Sequence, residues 1–383
     1  SALFPLQIGV AQPLGTEIGI QTARQWCERN SANPTAVFLK VDFSNAFNCV
    51  DRRSFLNECQ QHFPGLCAWA RWCYAEPSHL LCGNRKISSE CGVQQGDPLG
   101  PLLFSTALQP VLSQISNMRT AGGLQLVFSY LDDVCLAGDA SAVANADEVL
   151  KTKCLQIGLE LNNSKCEIIP TAGLHAHVNR SLFPADFSFQ ASGNFDLLGG
   201  PIGSTEHCNQ HTQDRVTKAT KLLAALGELP DPQVALLLLR HSASFSKLVY
   251  SMRTVPHAAH AEALRSFDAA VRECVESFLC LSLSASEWTL ATLSTAQSGL
   301  GLRSAAQHSS AAFLSSRASC HSLCRQLDPG HVWEIGRPDS AASGALDDYN
   351  RKVAAPDKLA APLDLSLIHI SEPTRPRLIS YAV

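Results

Sequence analysis

Hydrophobic and polar positions change period several times along the chain, and each change marks an element. AVFLKV, Ala36–Val41, is an almost unbroken apolar run that predicts a buried strand ending at Asp42. A helix is predicted ahead of it, around Gly15–Arg29. Asp51 stands where an N-cap belongs, and Phe55, Leu56, Cys59 and Phe63 follow at helical spacing. The helical period persists through AWARWCY. HLLCGNRKISSECGV then reads as a hairpin turning at Gly83-Asn84. GVQQGDPLGPLLFSTALQPVL starts as loop, because of Gly92, Gly96 and Pro98, and continues as a helix with Phe104, Leu108, Val111 and Ile115 on one face. Pro98 and Pro101 suit its first turn, whereas Pro110 should kink or end it. LQLVFSY and VCLAG predict two short strands flanking Asp132 and Asp133. SAVANADEVLKTKCLQIG is an amphipathic helix stopped by Gly158, LELNNSKCEII a turn and strand, and FDLLGGPIG a glycine-rich hairpin.

From about Thr205 the pattern becomes all-helical, with helices expected over Arg215–Leu226, Val234–Met252 and Ala259–Leu281. A domain boundary is placed there. Residues 327–365 are rich in Pro, Ala and Asp and poor in aromatics, and are expected to be loose. Asp347 and Asp348 after Pro338-Asp339 faintly suggest a metal-nuclease pattern, but no lysine has the needed spacing, so the stretch reads as linker. The closing LSLIHISEPTRPRLISYAV breaks with everything before it and resembles a translated adapter scar. Residues from about 365 onward are therefore not expected to belong to the fold.

With 383 residues, 45% of them hydrophobic, the chain can bury cores for two or three domains. Its longest apolar runs are far short of a membrane span, and no secretory signal opens it. The net charge of −4 counts mildly against a nucleic-acid binder, although a basic groove can sit on a neutral protein. Fifteen cysteines, an odd number with no CxxC pair, read as free thiols in a reducing compartment. The protein is thus expected inside the cell, nuclear and/or cytoplasmic. CHSLC, Cys320–Cys324, with His331 beyond it, lacks an evident fourth zinc ligand.

Candidate chemistry lies in the carboxylates. The order strand, Asp42, helix; loop, helix; strand, Asp132-Asp133, strand; helix; strand is the split βαβ pattern of a ferredoxin-like sheet. In that topology the first strand neighbours the hairpin, so Asp42 would face Asp132 and Asp133. Three carboxylates at one sheet edge need a cation. Two Mg²⁺ ions, or Mn²⁺, would meet that need, because oxygen-only ligands select such metals over zinc. The plain structural alternative is a polar turn and a helix cap, which Asp-Asp alone usually is.

These residues come in a recognisable order. VDFSNAFNCVDR around Asp42 resembles motif A of reverse transcriptases, GVQQGDPLGPLLF motif B, YLDD (Tyr130–Asp133) motif C, LNNSK with Lys165 motif D, and LLGG (Leu197–Gly200) motif E. The wording of motifs A and B looks most like non-LTR (LINE-type) retrotransposon polymerases. The resemblance implies an α+β fold, a right-hand polymerase with a ferredoxin-like palm, partial fingers and a helical thumb. Residues 1–35 would be a partial fingers lead-in, 36–204 the palm with inserted finger elements, 205–326 a thumb-like region and 327–383 a tail.

It also implies an RNA-directed DNA polymerase that adds dNTPs to a DNA primer on an RNA template. Asp42 and Asp132 would bridge the metals, with Asp133 a looser ligand and the Phe43 carbonyl completing the shell. Phe47 would lie under the sugar and exclude a 2′-OH, or simply belong to the core. Gln95 and Gly96 would cover the nucleotide, or be an ordinary turn. Lys165 would protonate the departing pyrophosphate, or be a solvated lysine beside Glu167. Leu198, Gly199 and Gly200 would grip the primer. Arg215, Lys218 and Lys221 share a helix side that could meet phosphates, although a solvated face is the plainer account. The finger strands expected before motif A are missing, so the sequence reads as a fragment starting at Ser1. Two other readings stay open: a non-catalytic remnant that folds and binds RNA, and an RNA-copying RNA polymerase, against which Phe47 and the YLDD box speak. No membrane contact is expected, and the pattern says nothing of oligomeric state.

Overall fold

A computed structural model describes residues 3–333, 340–353, 355 and 358–359. The adapter-like end from about residue 365 and the Pro338-Asp339 pair lie outside the described residues. The chain divides into two compact units, residues 1–195 with 322–331, and residues 196–321 with 332 onward.

In the first unit, α1 (Gly15–Arg29) precedes β1 (Ala36–Val41). The short α2 (Ala46–Cys49), α3 (Arg52–His62) and α4 (Pro64–Tyr74) follow, then the hairpin β2 (Ser78–Cys82) and β3 (Arg85–Ser89). Next come α5 (Gly100–Ser116), β4 (Leu124–Tyr130), β5 (Asp133–Asp139), α6 (Ala140–Gln156), β6 (Glu167–Pro170) and β7 (Ser188–Phe189). The main sheet has the order β4-β5-β1-β6-β7, and β1 pairs antiparallel with both β5 and β6. This is the ferredoxin-like arrangement expected from the element order, with the first strand beside the hairpin.

Alternation along β1 sends its side chains to two faces. Val37, Leu39 and Val41 join a core with Phe55, Leu103, Phe104, Leu108 and Val143 of the covering helices. Phe38 on the other face meets Trp26 of α1 at 6.4 Å and Phe195 at 5.2 Å between ring centroids. Asp51 caps α3 through the Ser54 amide (2.8 Å), and Asp139 caps α6 through the Ser141 amide (3.0 Å). The structure corrects one reading here. α5 runs unbroken through Pro110, because buried Leu108, Val111, Leu112 and Ile115 on either side hold it against the core. Packing there outweighs one missing backbone hydrogen bond.

β8 (Phe195–Leu197) straddles the boundary between the units, and from β9 (Gly200–Ile202) the chain continues in helices. These are α7 (Thr205–Gly227), α8 (Pro232–Leu238), α9 (Val249–Thr254), α10 (His257–Leu279), α11 (Ala285–Thr292), α12 (Ala305–Leu327) and α13 (Ala341–Lys352). Val216, Ala219 and Leu223 of α7 pack with Leu264, Phe267 and Val271 of α10. The helix expected over Val234–Met252 is broken. After α8 the chain makes a π turn, then leaves helical geometry at Ser244 (φ −97°, ψ −124°). Ser242 bonds back to the Leu238 carbonyl (2.9 Å), the kind of local competition that bends helices. The stretch from 327 is also not uniformly loose. Leu327, Asp328 and His331 are buried, and α13 packs Ala345, Leu346 and Tyr349 against Phe313 and Leu314. Asp348, read as linker, accepts from Ser310 and Lys352.

Candidate active site

The carboxylates sit on the Phe38 face of β1. Val41 pairs with Val134, so one further step of that register sets Asp42 opposite Asp133. Tyr130 pairs with Asp133, which leaves Leu131 and Asp132 as a two-residue turn. Leu131 has φ +57°, the sense that a tight hairpin needs at its first turn residue.

The electrostatics follow from this crowding. Burial raises the Asp132 carboxyl above its ordinary value, and the Asp42 charge adds to that. Asp133 reaches solvent, yet the protein around it desolvates its carboxyl and, with Asp132 and Asp42, pushes it up to about 6. Lys40 opposes this only in part, because its ammonium is engaged by Glu167 at 2.6 Å. Among the described residues, no side chain forms an ion pair with any of the three carboxylates. They are three neighbouring oxygen donors that no ion pair neutralises and that Lys40 offsets only in part, which suits a hard divalent cation. Among the described residues they do not close into a cage of three or more ligands.

Segments 160–166 and 42–44 are tied together. Asn162 donates to the Asp42 carbonyl (2.8 Å), Ser44 to Glu160 (2.8 Å), and Phe43 bridges Leu161. Phe43 places its backbone beside Asp42 and its ring in the core. Lys165 is exposed on this segment. The Glu167 proposed to accompany it is taken by Lys40 and Gln190 instead.

The motif B loop is anchored to motif A. Gly92 and Val93 donate to the Val50 and Phe47 carbonyls at 2.8 and 2.7 Å. The buried Arg52 holds the Gly92 and Ser89 carbonyls at 3.0 and 2.8 Å and lies over the Tyr74 ring. Tyr74 in turn donates to Asp97 and accepts from the Gln94 amide (3.1 Å). Burial first, then that hydrogen bond, pushes the Tyr74 phenol up to about 12. Gln95 and Gly96 ride exposed on this anchored loop, and Gly96 has φ +90° with open space around it. Its glycine is thus required by backbone conformation, not by packing. Phe47 is half-buried and stacks on Phe104 of α5 (4.6 Å between centroids, 11° between planes).

In the second unit, Leu198 (φ +47°) and Gly199 (φ +77°) form the tight turn between β8 and β9. Tyr250 donates to the Leu198 carbonyl and Arg215 to the Gly199 carbonyl, each at 2.6 Å. Arg215 also stacks over the Tyr250 ring. Arg215 is thus not simply on a solvated helix face, because its guanidinium holds the turn. Lys218 and Lys221 remain exposed on α7. Gly200 is buried in β9.

Sequence reasoning missed Arg52, Tyr74 and Tyr250. Each acts on a partner far away in the chain, and no local pattern signals that. All fifteen cysteines are free, and Cys324 donates to the Ile18 carbonyl at 3.7 Å. Among the described residues no helix is long and apolar enough to cross a membrane.

The sheet order, with its first strand beside the β4–β5 hairpin, is that of the palm of a right-hand polymerase. Residues 9–202 match the family described as reverse transcriptase (RNA-dependent DNA polymerase), and the chain belongs to that family. Among solved structures, the chain is similar to telomerase from Candida albicans, solved with the TWJ fragment of telomeric RNA, at 10% identity and a TM-score of 0.44. That match covers 94% of this chain, which spans 54% of the telomerase chain. No curated protein matches the chain.

Proposed function

We propose that the chain is the polymerase portion of a retroelement of the non-LTR (LINE) type, extending a DNA primer with dNTPs on an RNA template. The observation that carries this is the juxtaposition of Asp42 with the Asp132–Asp133 turn in a chain of the reverse transcriptase family. Asp42 and Asp132 would hold a pair of divalent cations, Mg²⁺ or Mn²⁺, with Asp133 supporting them. Such ions, when bound, supply Lewis acidity to the attacking 3′-OH and neutralise the triphosphate.

The chain's own residues account for the rest. Gln95 and Gly96 on the anchored loop cover the base pair being formed. Phe47, fixed by its stack on Phe104, presents a ring where a ribose 2′-OH would otherwise fit. Lys165, exposed beside motif A, gives a proton to the pyrophosphate as the bond to the α-phosphorus breaks. Leu198, Gly199 and Gly200 present a rigid turn to the primer backbone. Primer extension on poly(rA)/oligo(dT) with Mg²⁺ or Mn²⁺ tests this. Template-dependent DNA synthesis is expected. No synthesis by the folded chain, or preferential use of rNTPs, overturns it.

A further inference from the structure

Resting on that polymerase reading of the turn, we infer that Gln7 is a positioning residue, whose buried amide fixes the Leu131–Asp132 turn and so the aim of the carboxylates.

Leu131 is a side-chain-bearing residue at φ +57°, a conformation that costs energy and persists only when its surroundings impose it. Its carbonyl takes two donors. Ser129 Oγ donates from the adjoining strand at 2.5 Å, and Gln7 Nε2 donates at 3.3 Å from far upstream in the chain. Gln7 is completely buried, and its Oε1 has no hydrogen-bond partner among the described residues. An apolar residue would occupy that place without stranding an acceptor, so the amide must serve its donor end.

Attachment of the segment does not need the side chain. Ser129 donates to the Leu6 carbonyl at 2.7 Å, and Ile8 donates to the Ser129 carbonyl at 2.9 Å. Gln7 itself bridges Ser129 in parallel register. The backbone already moors residues 6–8 alongside β4, and the amide adds a hold on the turn itself. Gly9 fits the same purpose: a Cβ there would stand 2.9 Å from the Leu131 nitrogen and 3.0 Å from its Cγ. The segment ahead of α1 is thus shaped to the turn from two sides.

The test compares the wild-type chain with Q7M, which keeps length and loses the donor, and with Q7M/L131G. Glycine takes positive φ without being held. Hydrogen exchange by mass spectrometry follows peptides spanning residues 128–134, and single-nucleotide incorporation follows the chemistry. In Q7M, exchange at the turn rises by about tenfold while β1 and α5 stay within about twofold. The kcat falls by about tenfold with the dNTP KM nearly unchanged, since alignment and not nucleotide affinity is lost. Adding L131G returns both toward wild type, a rescue that a merely space-filling role would not give. Unchanged exchange at the turn, or a rise spread equally over the sheet that L131G fails to reverse, overturns the inference. If Q7M does not fold, Q7M/L131G decides: a folded chain with a protected turn supports positioning, and an unfolded one assigns Gln7 to general packing. A wild-type chain that folds but never extends a primer counts against the polymerase reading, and the exchange data still settle Gln7.

Discussion

The Phe47 ring stacks on Phe104 and packs against the core while staying only half-buried, so the sugar selection proposed for it would fall on a side chain that also packs. Phe47→Ala is expected to lower stability by about 1–3 kcal/mol, less than for a fully buried ring. It should also reduce preference for dNTPs over rNTPs by about tenfold or more, read by competing incorporation. Asp147 carries a different charge problem. It is buried in α6, its Oδ1 has no hydrogen-bond partner among the described residues, and burial ahead of the Glu148 charge pushes its carboxyl up to about 7. The folded state therefore keeps a proton that the unfolded chain releases near pH 4. Stability should fall with rising pH between about 4 and 7, by at most about 1.4 kcal/mol per unit, and level off above. Asp147→Asn should flatten that slope in denaturant titrations at several pH values. Asp132 and Asp133 were legible in the sequence because paired charges between apolar strands are out of place unless they serve something. Gln7 and Tyr250 were not, because a buried polar residue far from its partner looks like any other residue in its segment.

At the scale of elements, the anchored motif B loop and the β8–β9 turn are the parts whose rigidity matters. Arg52→Ala removes a buried cation that holds the Gly92 and Ser89 carbonyls. A loss of about 2–4 kcal/mol is expected, with a raised dNTP KM, since Gln95 and Gly96 ride on that loop. Tyr250→Phe deletes one hydrogen bond to Leu198 and should cost about 1 kcal/mol while weakening primer binding, read by the primer concentration at half-maximal rate. The strands of the main sheet other than β7, the helix cap at Asp51 and the place of β1 beside the β4–β5 hairpin followed from period, punctuation and element order; the cap at Asp139 did not. Three further elements did not. Pro110 stayed helical because packing overrode the local penalty. The Val234–Met252 helix broke where serines offer the backbone other partners. α13 formed because Ala345, Leu346 and Tyr349 found a buried face on α12, which composition cannot reveal.

At the scale of the molecule, each unit has its own core, one around β1 and α5 and the other around α7 and α10. Asp268 shows how the second is secured: it accepts from Ser304 Oγ (2.6 Å) and the Ala305 amide (2.7 Å), capping α12 from α10. Asp268→Ala should cost about 1–3 kcal/mol and lower one calorimetric transition while leaving the transition of the first unit in place. The central claim concerns the first unit, that Asp42, Asp132 and Asp133 together make one divalent-cation site. Mn²⁺ binding to the folded chain, read from the loss of the free-ion electron paramagnetic resonance signal, tests it most directly. The account predicts saturable binding in the wild type, weakened by about tenfold or more in Asp42→Asn and in Asp132→Asn. Equal binding by wild type and both variants, all folded, would contradict it.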